Sequence, residues 1–271
     1  MIKINNLIIG CFLLTVLACK AKHEVPATNP KETVNIGWKL IFEDQFNTTG
    51  KFDQSKWSFS SRGNPAWARY LTSSSDYASQ ANGFLNLTMD NRRIEGDDVP
   101  YHSGGIESKS KFSFLYGKVE VRAKFKKGQG SWPAIWMMPE NSKYGNWPNS
   151  GEIDIMEHIN NEIVVHQTIH NGSVTNANGG SSATRTSPYK AEEFNTYGII
   201  WNPESIEFYV NEDLQFTYKK QAGADTKAWP FDQPFYLILN QSGGLGWPGP
   251  ITDSVLPFSM QVDWVKVYQE E

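Results

Sequence analysis

Three carboxylic acids within six residues are the feature of this sequence best suited to chemistry. Glu152, Asp154 and Glu157, here called the acidic triad, lie in the run EIDIME, whose other members are apolar. Side chains of a strand alternate between its two faces, so Glu152 and Asp154 share one face and the isoleucines lie on the other. Glu157 joins the acidic face only if a β-bulge at position 155 or 156 adds one residue. We predict that bulge, because burying an ionised acid without a partner or a use is costly.

Cleavage of a glycosidic bond is the reaction that two neighbouring carboxyl groups support. One carboxylate attacks or stabilises the anomeric carbon, and one protonated acid donates to the leaving oxygen. Tryptophans flank the triad at Trp132, Trp136 and Trp147. Flat apolar rings stack on the C–H faces of sugars, whereas sugar hydroxyls bind acids and amides. The combination predicts a carbohydrate site, and an exposed acidic strand face is the alternative for the acids alone.

Five further stretches, together with the triad, resemble glycoside hydrolase family 16. They are residues 116–124 (YGKVEVRAK), 128–139 (GQGSWPAIWMMP), 144–151 (YGNWPNSG), 229–240 (WPFDQPFYLILN) and 260–268 (MQVDWVKVY). The resemblance implies that Glu152 is the nucleophile and Glu157 the acid/base of a retaining reaction that needs no cofactor. It implies that Asp154 positions Glu152, shares a proton with it and helps keep Glu157 protonated.

The resemblance also implies a set of residues that bind the glycan. Three tryptophans would line the cleft and Trp247 would border it. Asn64, Arg69 and Asn240 would lie near the donor-side sugars. His170 would bind the acid/base or the substrate, although a half-buried strand histidine with no such role is the alternative. The cleft tryptophans are Trp132, Trp136 and Trp147.

One residue of the C-terminal motif matches a family position that often holds a structural calcium ion. Asp263 would supply the carboxylate, on the convex side of the protein. A single aspartate is a weak calcium signal, so a capping or turn carboxylate is the alternative.

Short alternating segments bounded by turn-forming residues indicate an all-β protein. They predict a sandwich of two antiparallel sheets, and the family resemblance implies a β-jelly roll with an open concave substrate cleft. Residues 173–187, rich in Asn, Gly, Ser and Thr, are expected to form a surface loop near the cleft. The clearest strand segments are residues 38–42, 84–89, 116–125, 164–170, 205–210, 214–218, 235–240 and 260–268, with a hairpin turn at 211–213.

The first 33 residues indicate export and attachment to a membrane surface. Residues 1–18 are typical of a lipoprotein signal peptide, with lipid attached to Cys19, although an ordinary secretory peptide is the alternative. Residues 19–33 would form a flexible tether, followed by a catalytic domain at 34–271. We therefore expect a lipid-anchored protein of the bacterial cell envelope, on the outer membrane or cell surface. Membrane contact would come only through the anchor.

The predicted substrate is a β-glucan. A formal net charge of −4 without a basic stripe argues against nucleic acid as a partner. The motifs favour an endo-hydrolase of β-1,3-containing glucans, either laminarin or mixed β-1,3-1,4-glucan. The alternatives are a surface glycan-binding protein without activity, a galactan hydrolase resembling agarases or carrageenases, and a transglycosylase. Glycan-uptake proteins are expected partners by analogy.

Overall fold

The structure, a computed structural model, describes residues 37–271. The predicted signal peptide, Cys19 and the tether lie outside the described residues. Within 37–271 no helix has the length and hydrophobicity needed to cross a membrane. The two helices of this part are 3-10 turns at Ala66–Ala68 and Asp253–Val255. The strands are β1 (Trp38–Asp44), β2 (Ser58–Phe59), β3 (Ala78–Ala81), β4 (Phe84–Asp90), β5 (His102–Glu107), β6 (Gly117–Phe125), β7 (Ser131–Pro139), β8 (Glu152–Glu157), β9 (Val164–His170), β10 (Thr184–Pro188), β11 (Asn195–Trp201), β12 (Ser205–Val210), β13 (Asp213–Lys219), β14 (Phe235–Gly243) and β15 (Phe258–Glu270).

The strands form two antiparallel sheets that are joined at one corner. The first sheet has the order β10-β9-β8-β7-β14-β5, with β2 paired to β5. The second has the order β4-β15-β6-β11-β12-β13, with β1 on β15 and β3 on β4. Only two residue pairs between β4 and β5 connect the sheets. The predicted all-β sandwich is confirmed.

The two sheets bury their apolar faces in one shared core. In β6 every second residue is buried, and Val119, Val121 and Ala123 are 0% exposed. They belong to the same core cluster as Ile153 and Ile155 of β8. Complete burial of one aliphatic side chain contributes about 1.5–3 kcal/mol. The apolar side of β8 is thereby anchored, and its other side faces the open concave surface of the first sheet.

The alternation of apolar and polar residues in the sequence predicted most of the strands correctly. The hairpin turn predicted at 211–213 is also confirmed. Asn211 and Glu212 connect β12 to β13 with positive φ angles of 52° and 70°. The glycine-containing β5 and the strands β7 and β11 were not among the clear segments. The loop predicted at 173–187 is wrong at its end, because Thr184 begins β10. This edge strand pairs only with β9, and its exposed Thr and Arg side chains have the composition of a loop.

Candidate active site

Strand β8 contains the predicted β-bulge. Against β7, Asp154 pairs with Trp136 and Glu157 pairs with Ala134, so three steps along β8 match two steps along β7. The same mismatch occurs against β9. An extra residue in one strand bends it and turns the following side chain to the other face. Glu157 therefore emerges on the same face as Asp154.

The bulge separates the apolar and acidic residues of β8 completely. Ile153, Ile155 and Met156 are all 0% exposed and lie in the core. The acidic triad lies together on the concave face, where Glu152 and Glu157 are half-buried and Asp154 is buried. Two consecutive apolar residues can point inward only because the extra residue breaks the alternation. The packing of Ile155 and Met156 thus supports the position of Glu157.

Glu152 is held from two sides. The indole Nε1 of Trp147, on the loop before β8, donates a hydrogen bond of 2.7 Å to its Oε2. On its other side a carboxyl oxygen of Asp154 lies within 4.8 Å of a carboxyl oxygen of Glu152. Burial and the neighbouring charge of Asp154 raise the pKa of Glu152 well above its usual value, whereas nearby His170 and the indole lower it.

Asp154 lies between the two glutamates with a side-chain exposure of 2%. Burial, followed by the charge of Glu157, raises its pKa well above the usual value, and the neighbouring carboxyl of Glu152 opposes that shift. Among the described residues its Oδ2 atom has no directed hydrogen bond, and His170 Nε2 lies 3.3 Å away. The pair of Glu152 and Asp154 can therefore hold one proton that moves between them.

Glu157 receives a hydrogen bond from a second indole. Trp132 Nε1, on β7, donates to Glu157 Oε1 at 2.9 Å. Burial raises the pKa of Glu157, whereas this indole and the charge of His170 lower it. A carboxyl with a raised pKa keeps its proton at a higher pH than a free glutamate does. Glu157 is thus suited to donate a proton.

His170 faces the acids, as the sequence predicted. It pairs with Glu152 across β8 and β9, and its Nε2 lies 3.9 Å from Glu152 Oε1 as well as 3.3 Å from Asp154 Oδ2. The ring of Trp147 packs beside it at 5.7 Å. Its closest acid is Asp154, so a direct bond to Glu157 is not formed.

Aromatic and acidic side chains form a wall next to Glu157. Trp247 is 46% exposed and packs edge-on against Trp132 at 6.1 Å and against His166 at 4.6 Å. His166 is the cross-strand neighbour of Glu157, and its Nε2 lies 2.5 Å from Glu162 Oε2. Trp247 therefore lies on the border of the cleft, where the sequence placed it.

Trp136 and Asn240 occupy the cleft floor rather than its open surface. Trp136 is 7% exposed, packs edge-on against Trp67 at 4.7 Å and donates its indole N–H to Asn240 Oδ1 at 2.7 Å. Asn240 is 1% exposed, and its Nδ2 donates to Ser242 Oγ. Both ends of the Asn240 amide bind protein groups, and its contact with sugar stays a prediction. Its place is to orient Trp136.

Asn64 and Arg69 lie on the loop that carries Trp67. Both side chains are exposed, and Arg69 Nη2 donates to the backbone oxygen of Asn64 at 3.0 Å. This bond shapes the loop, and neither side chain has a hydrogen bond or ion pair with the triad. Their binding of donor-side sugars stays a prediction.

Several residues near the triad carried no sequence signal. Tyr236 packs on the concave face with Trp136, and burial followed by the charges of Glu107, Glu140 and Glu152 raises its pKa. Thr175, from the loop after β9, contacts His170. A tyrosine within an apolar strand and a threonine within a polar loop have the usual composition of those elements, so only the fold identifies them.

Two groups of residues have side chains of the kind that bind metal ions. Glu152, Asp154 and His170 offer ligand atoms within 4.8 Å of one another, and the indole of Trp147 bonds one of the two oxygens of Glu152. Asp263 lies elsewhere, at a bulge of β15, and forms an ion pair with Arg122. A permanent positive charge disfavours calcium at the same carboxylate. The structural calcium site stays a prediction, as does the absence of a catalytic cofactor.

Comparison with known proteins points to a single family. The sequence model described as glycosyl hydrolases family 16 matches residues 66–266. The chain is 57% identical over 251 residues to a keratan-sulfate endo-1,4-beta-galactosidase of Sphingobacterium multivorum. That alignment covers 92% of this chain and 60% of the relative, so the chain spans less than two thirds of the relative's length.

Solved structures share the fold along almost their entire length. A laminarinase from Rhodothermus marinus has a TM-score of 0.79 and 32% identity, covering 88% of this chain and 99% of the other. A second structure concerns endo-acting O-glycanases that members of the human gut microbiota express to initiate mucin breakdown. It has a TM-score of 0.75 and 29% identity, covering 84% and 98%. These neighbours confirm the predicted jelly roll.

Proposed function

We propose that this chain, a glycoside hydrolase that belongs to glycosyl hydrolase family 16, is a retaining endo-glycosidase that cleaves β-1,4-galactosidic bonds within galactose-containing glycans. The observation that carries the reaction is the bulged strand β8, which places all three members of the acidic triad on one open face. A binding surface alone has no need of two glutamates beside a buried aspartate.

The reaction begins with attack by Glu152. When the proton shared with Asp154 lies on Asp154, Glu152 is a carboxylate and can form a bond to the anomeric carbon. Glu157, whose raised pKa keeps it protonated, donates its proton to the leaving oxygen as that bond breaks. Glu157 then removes a proton from water, which attacks the glycosyl-enzyme and releases Glu152. Two inversions leave the anomeric configuration retained.

The substrate proposal is supported by the 57% identity to the keratan-sulfate relative. This identity is higher than the 32% identity to the laminarinase, and both similarities extend over a similar part of the chain. Galactose and glucose differ only in the orientation of the C4 hydroxyl, so the same acids and tryptophans serve either sugar. We therefore prefer a galactose-containing glycan to the β-1,3-glucan expected from the motifs.

Hydrolysis of β-1,3-glucan is the second candidate. The Rhodothermus marinus laminarinase matches almost the entire described fold, and a beta-glucanase of the same organism is 35% identical over 249 residues. This similarity extends over the part of the chain that carries the triad. Laminarin and mixed-linkage glucan are therefore included in the test.

A product digest separates the candidates. The purified protein is incubated with keratan sulfate, neutral poly-N-acetyllactosamine, laminarin, barley mixed-linkage glucan and agarose, and new reducing ends are identified by linkage analysis. We expect galactose reducing ends from the first two polymers. Turnover of laminarin or barley glucan alone would overturn the galactosidase proposal in favour of the glucanase. Longer products than the starting oligosaccharide would reveal transglycosylation.

Attachment to the cell envelope is proposed separately, from Cys19 in the sequence. The Cys19→Ser variant is expected to move from the membrane fraction to the soluble exported fraction without loss of specific activity. A Cys11→Ser variant is the matched control and should remain with the membrane. Equal fractionation of both variants would contradict lipid attachment at Cys19. A role for uptake proteins stays a prediction.

A further inference from the structure

The loop between β9 and β10 contributes a hydroxyl group to the surroundings of the triad. Thr175 Oγ1 lies 3.2 Å from Nδ1 of His170 and 3.2 Å from the backbone N of Asn171. His170 is buried, and its other ring nitrogen faces Asp154 and Glu152. Thr175 thus lies behind the histidine, on the side away from the acids.

A buried asparagine fixes the loop at this point. Asn171 is 0% exposed, and its Oδ1 accepts the backbone N–H groups of Ser173 and Val174. Its Nδ2 donates to the hydroxyl of Tyr218 and to the backbone oxygen of Ala228. All these bonds are made inside the protein, so the turn that carries Thr175 has a defined position before substrate arrives.

The Thr175 hydroxyl and Asp154 together favour one tautomer of a neutral His170, because the hydroxyl alone can either donate to Nδ1 or accept from it. The oxygen accepts the N–H of Asn171, which leaves its own proton free to donate. A neutral imidazole has one donor and one acceptor nitrogen, and the bond made by one nitrogen selects the state of the other. When Nδ1 accepts the hydroxyl proton, Nε2 carries hydrogen and lies 3.3 Å from Asp154 Oδ2.

That direction matters because Asp154 Oδ2 is buried without another partner among the described residues. While Asp154 is ionised, an acceptor nitrogen facing this oxygen would leave both atoms unsatisfied, whereas an N–H can supply the missing donor. The geometry of Asp154, and through it the proton shared with Glu152, then depends on the histidine tautomer.

We propose that Thr175 is a positioning residue that holds His170 as the Nε2–H tautomer and so keeps Asp154 in place beside Glu152. The inference rests on the proposed hydrolytic function of the triad. It assigns a role to the polar loop at 173–183, which the sequence marked only as a border of the cleft. Thr175 itself does not touch the substrate in this account.

The test compares Thr175→Val, which keeps the shape but removes the hydroxyl, with Thr175→Ser, which keeps the hydroxyl. For Thr175→Val we expect kcat to fall about 3- to 10-fold, the effect of one hydrogen bond, with KM unchanged. Thr175→Ser should restore kcat. Thr217→Val, a half-buried threonine on β13 of the other sheet, is the matched control and should behave as wild type.

Nitrogen NMR of labelled histidine reads the tautomer directly and needs no substrate. The chain has five histidines, and the signal missing in His170→Gln identifies the relevant one. We expect one Nε2–H form in wild type and in Thr175→Ser, and a mixture in Thr175→Val. An unchanged tautomer in Thr175→Val, or a serine variant as impaired as the valine variant, would overturn the proposal. If wild type cleaves no glycan the proposed function fails, while the NMR result still decides the role of Thr175.

Discussion

Glu152 and Glu157 lie at the two ends of one strand, yet their surroundings differ. At the first end, a carboxyl oxygen of Asp154 lies within 4.8 Å of one of Glu152, and His170 Nε2 lies 3.9 Å from Glu152 Oε1. At the second end, Trp132 gives Glu157 its side-chain hydrogen bond. The first glutamate therefore has a carboxyl and an imidazole close to it, whereas the hydrogen bond of the second comes from an indole.

The difference shows how one residue type acquires two chemical roles. In the proposed mechanism Glu152 becomes a nucleophile when the proton that it shares with Asp154 lies on Asp154, and Glu157 keeps its proton until a leaving oxygen takes it. Burial raises the pKa of both, so burial alone does not distinguish them. The side chains next to each glutamate distinguish the two.

Removing the carboxylate at the nucleophile end should have the largest effect. Glu152→Gln cannot form the covalent intermediate, so we expect kcat to fall by about 10⁴-fold or more. Release of reducing ends measures the loss, and glycan affinity measured by calorimetry should be retained. Near-normal turnover would remove Glu152 from the mechanism and with it the contrast between the two ends.

Removing the acid at the other end should have a smaller effect that depends on the substrate. Glu157→Gln is expected to lose about 10²- to 10⁴-fold on glycans, whose leaving groups need a proton. Aryl glycosides with acidic phenols leave without that help, so their first step should be almost unaffected. Burst kinetics on such a substrate check this, and equal losses on both substrate classes would contradict the assignment of Glu157.

The two indole bonds should shift opposite limbs of the pH profile. Each indole N–H stabilises an ionised carboxylate, so its removal raises the pKa of that glutamate. Trp147→Phe should move the acidic limb upward, because Glu152 must be ionised. Trp132→Phe should move the basic limb upward, because Glu157 must be protonated. We expect shifts of about one to two pH units in kcat/KM, from the strength of a hydrogen bond to a charged group. Movement of the same limb in both variants would remove the distinction.

The smallest effect should appear in stability. A carboxyl whose pKa is raised on folding stabilises the protein below the pKa of the unfolded chain and loses that contribution as pH rises through the folded value. Asparagine does not ionise, so Asp154→Asn should avoid the loss of stability at high pH. Its Tm should match that of wild type near pH 4 and exceed it by a few degrees at pH 8. A change of 1 kcal/mol corresponds to about 2–4 °C in a domain of this size. A lower Tm at pH 8, measured by calorimetry, would show that the buried acid contributes to stability.

The sequence predicted those parts of the molecule that depend on neighbours along the chain. Period-2 alternation marks β6, β9 and β12, and the spacing of EIDIME requires the bulge once one face must be apolar. The tryptophans that precede β8 are near the acids in the sequence, so their place beside the acids could also be predicted. These features need no knowledge of distant residues.

The remaining features depend on contacts between distant segments. The burial of Asn240 follows from Ser242, which bonds the loop of Trp67 across 175 residues of sequence. The contact of Thr175 with His170 follows from a turn held by Tyr218 on the other sheet. Long-range packing of this kind leaves no periodic signal, so the sequence shows neither the bond of Asn240 to Trp136 nor the contact of Thr175 with His170.

Covalent trapping tests the central claim most directly. A 2-deoxy-2-fluoro glycoside of the best substrate, with a good leaving group, slows hydrolysis of the glycosyl-enzyme so that mass spectrometry can locate it. We predict one sugar bound through an ester to Glu152, and none in the Glu152→Gln variant. A sugar attached to Glu157, or inverted stereochemistry of the natural product by NMR, would contradict the account.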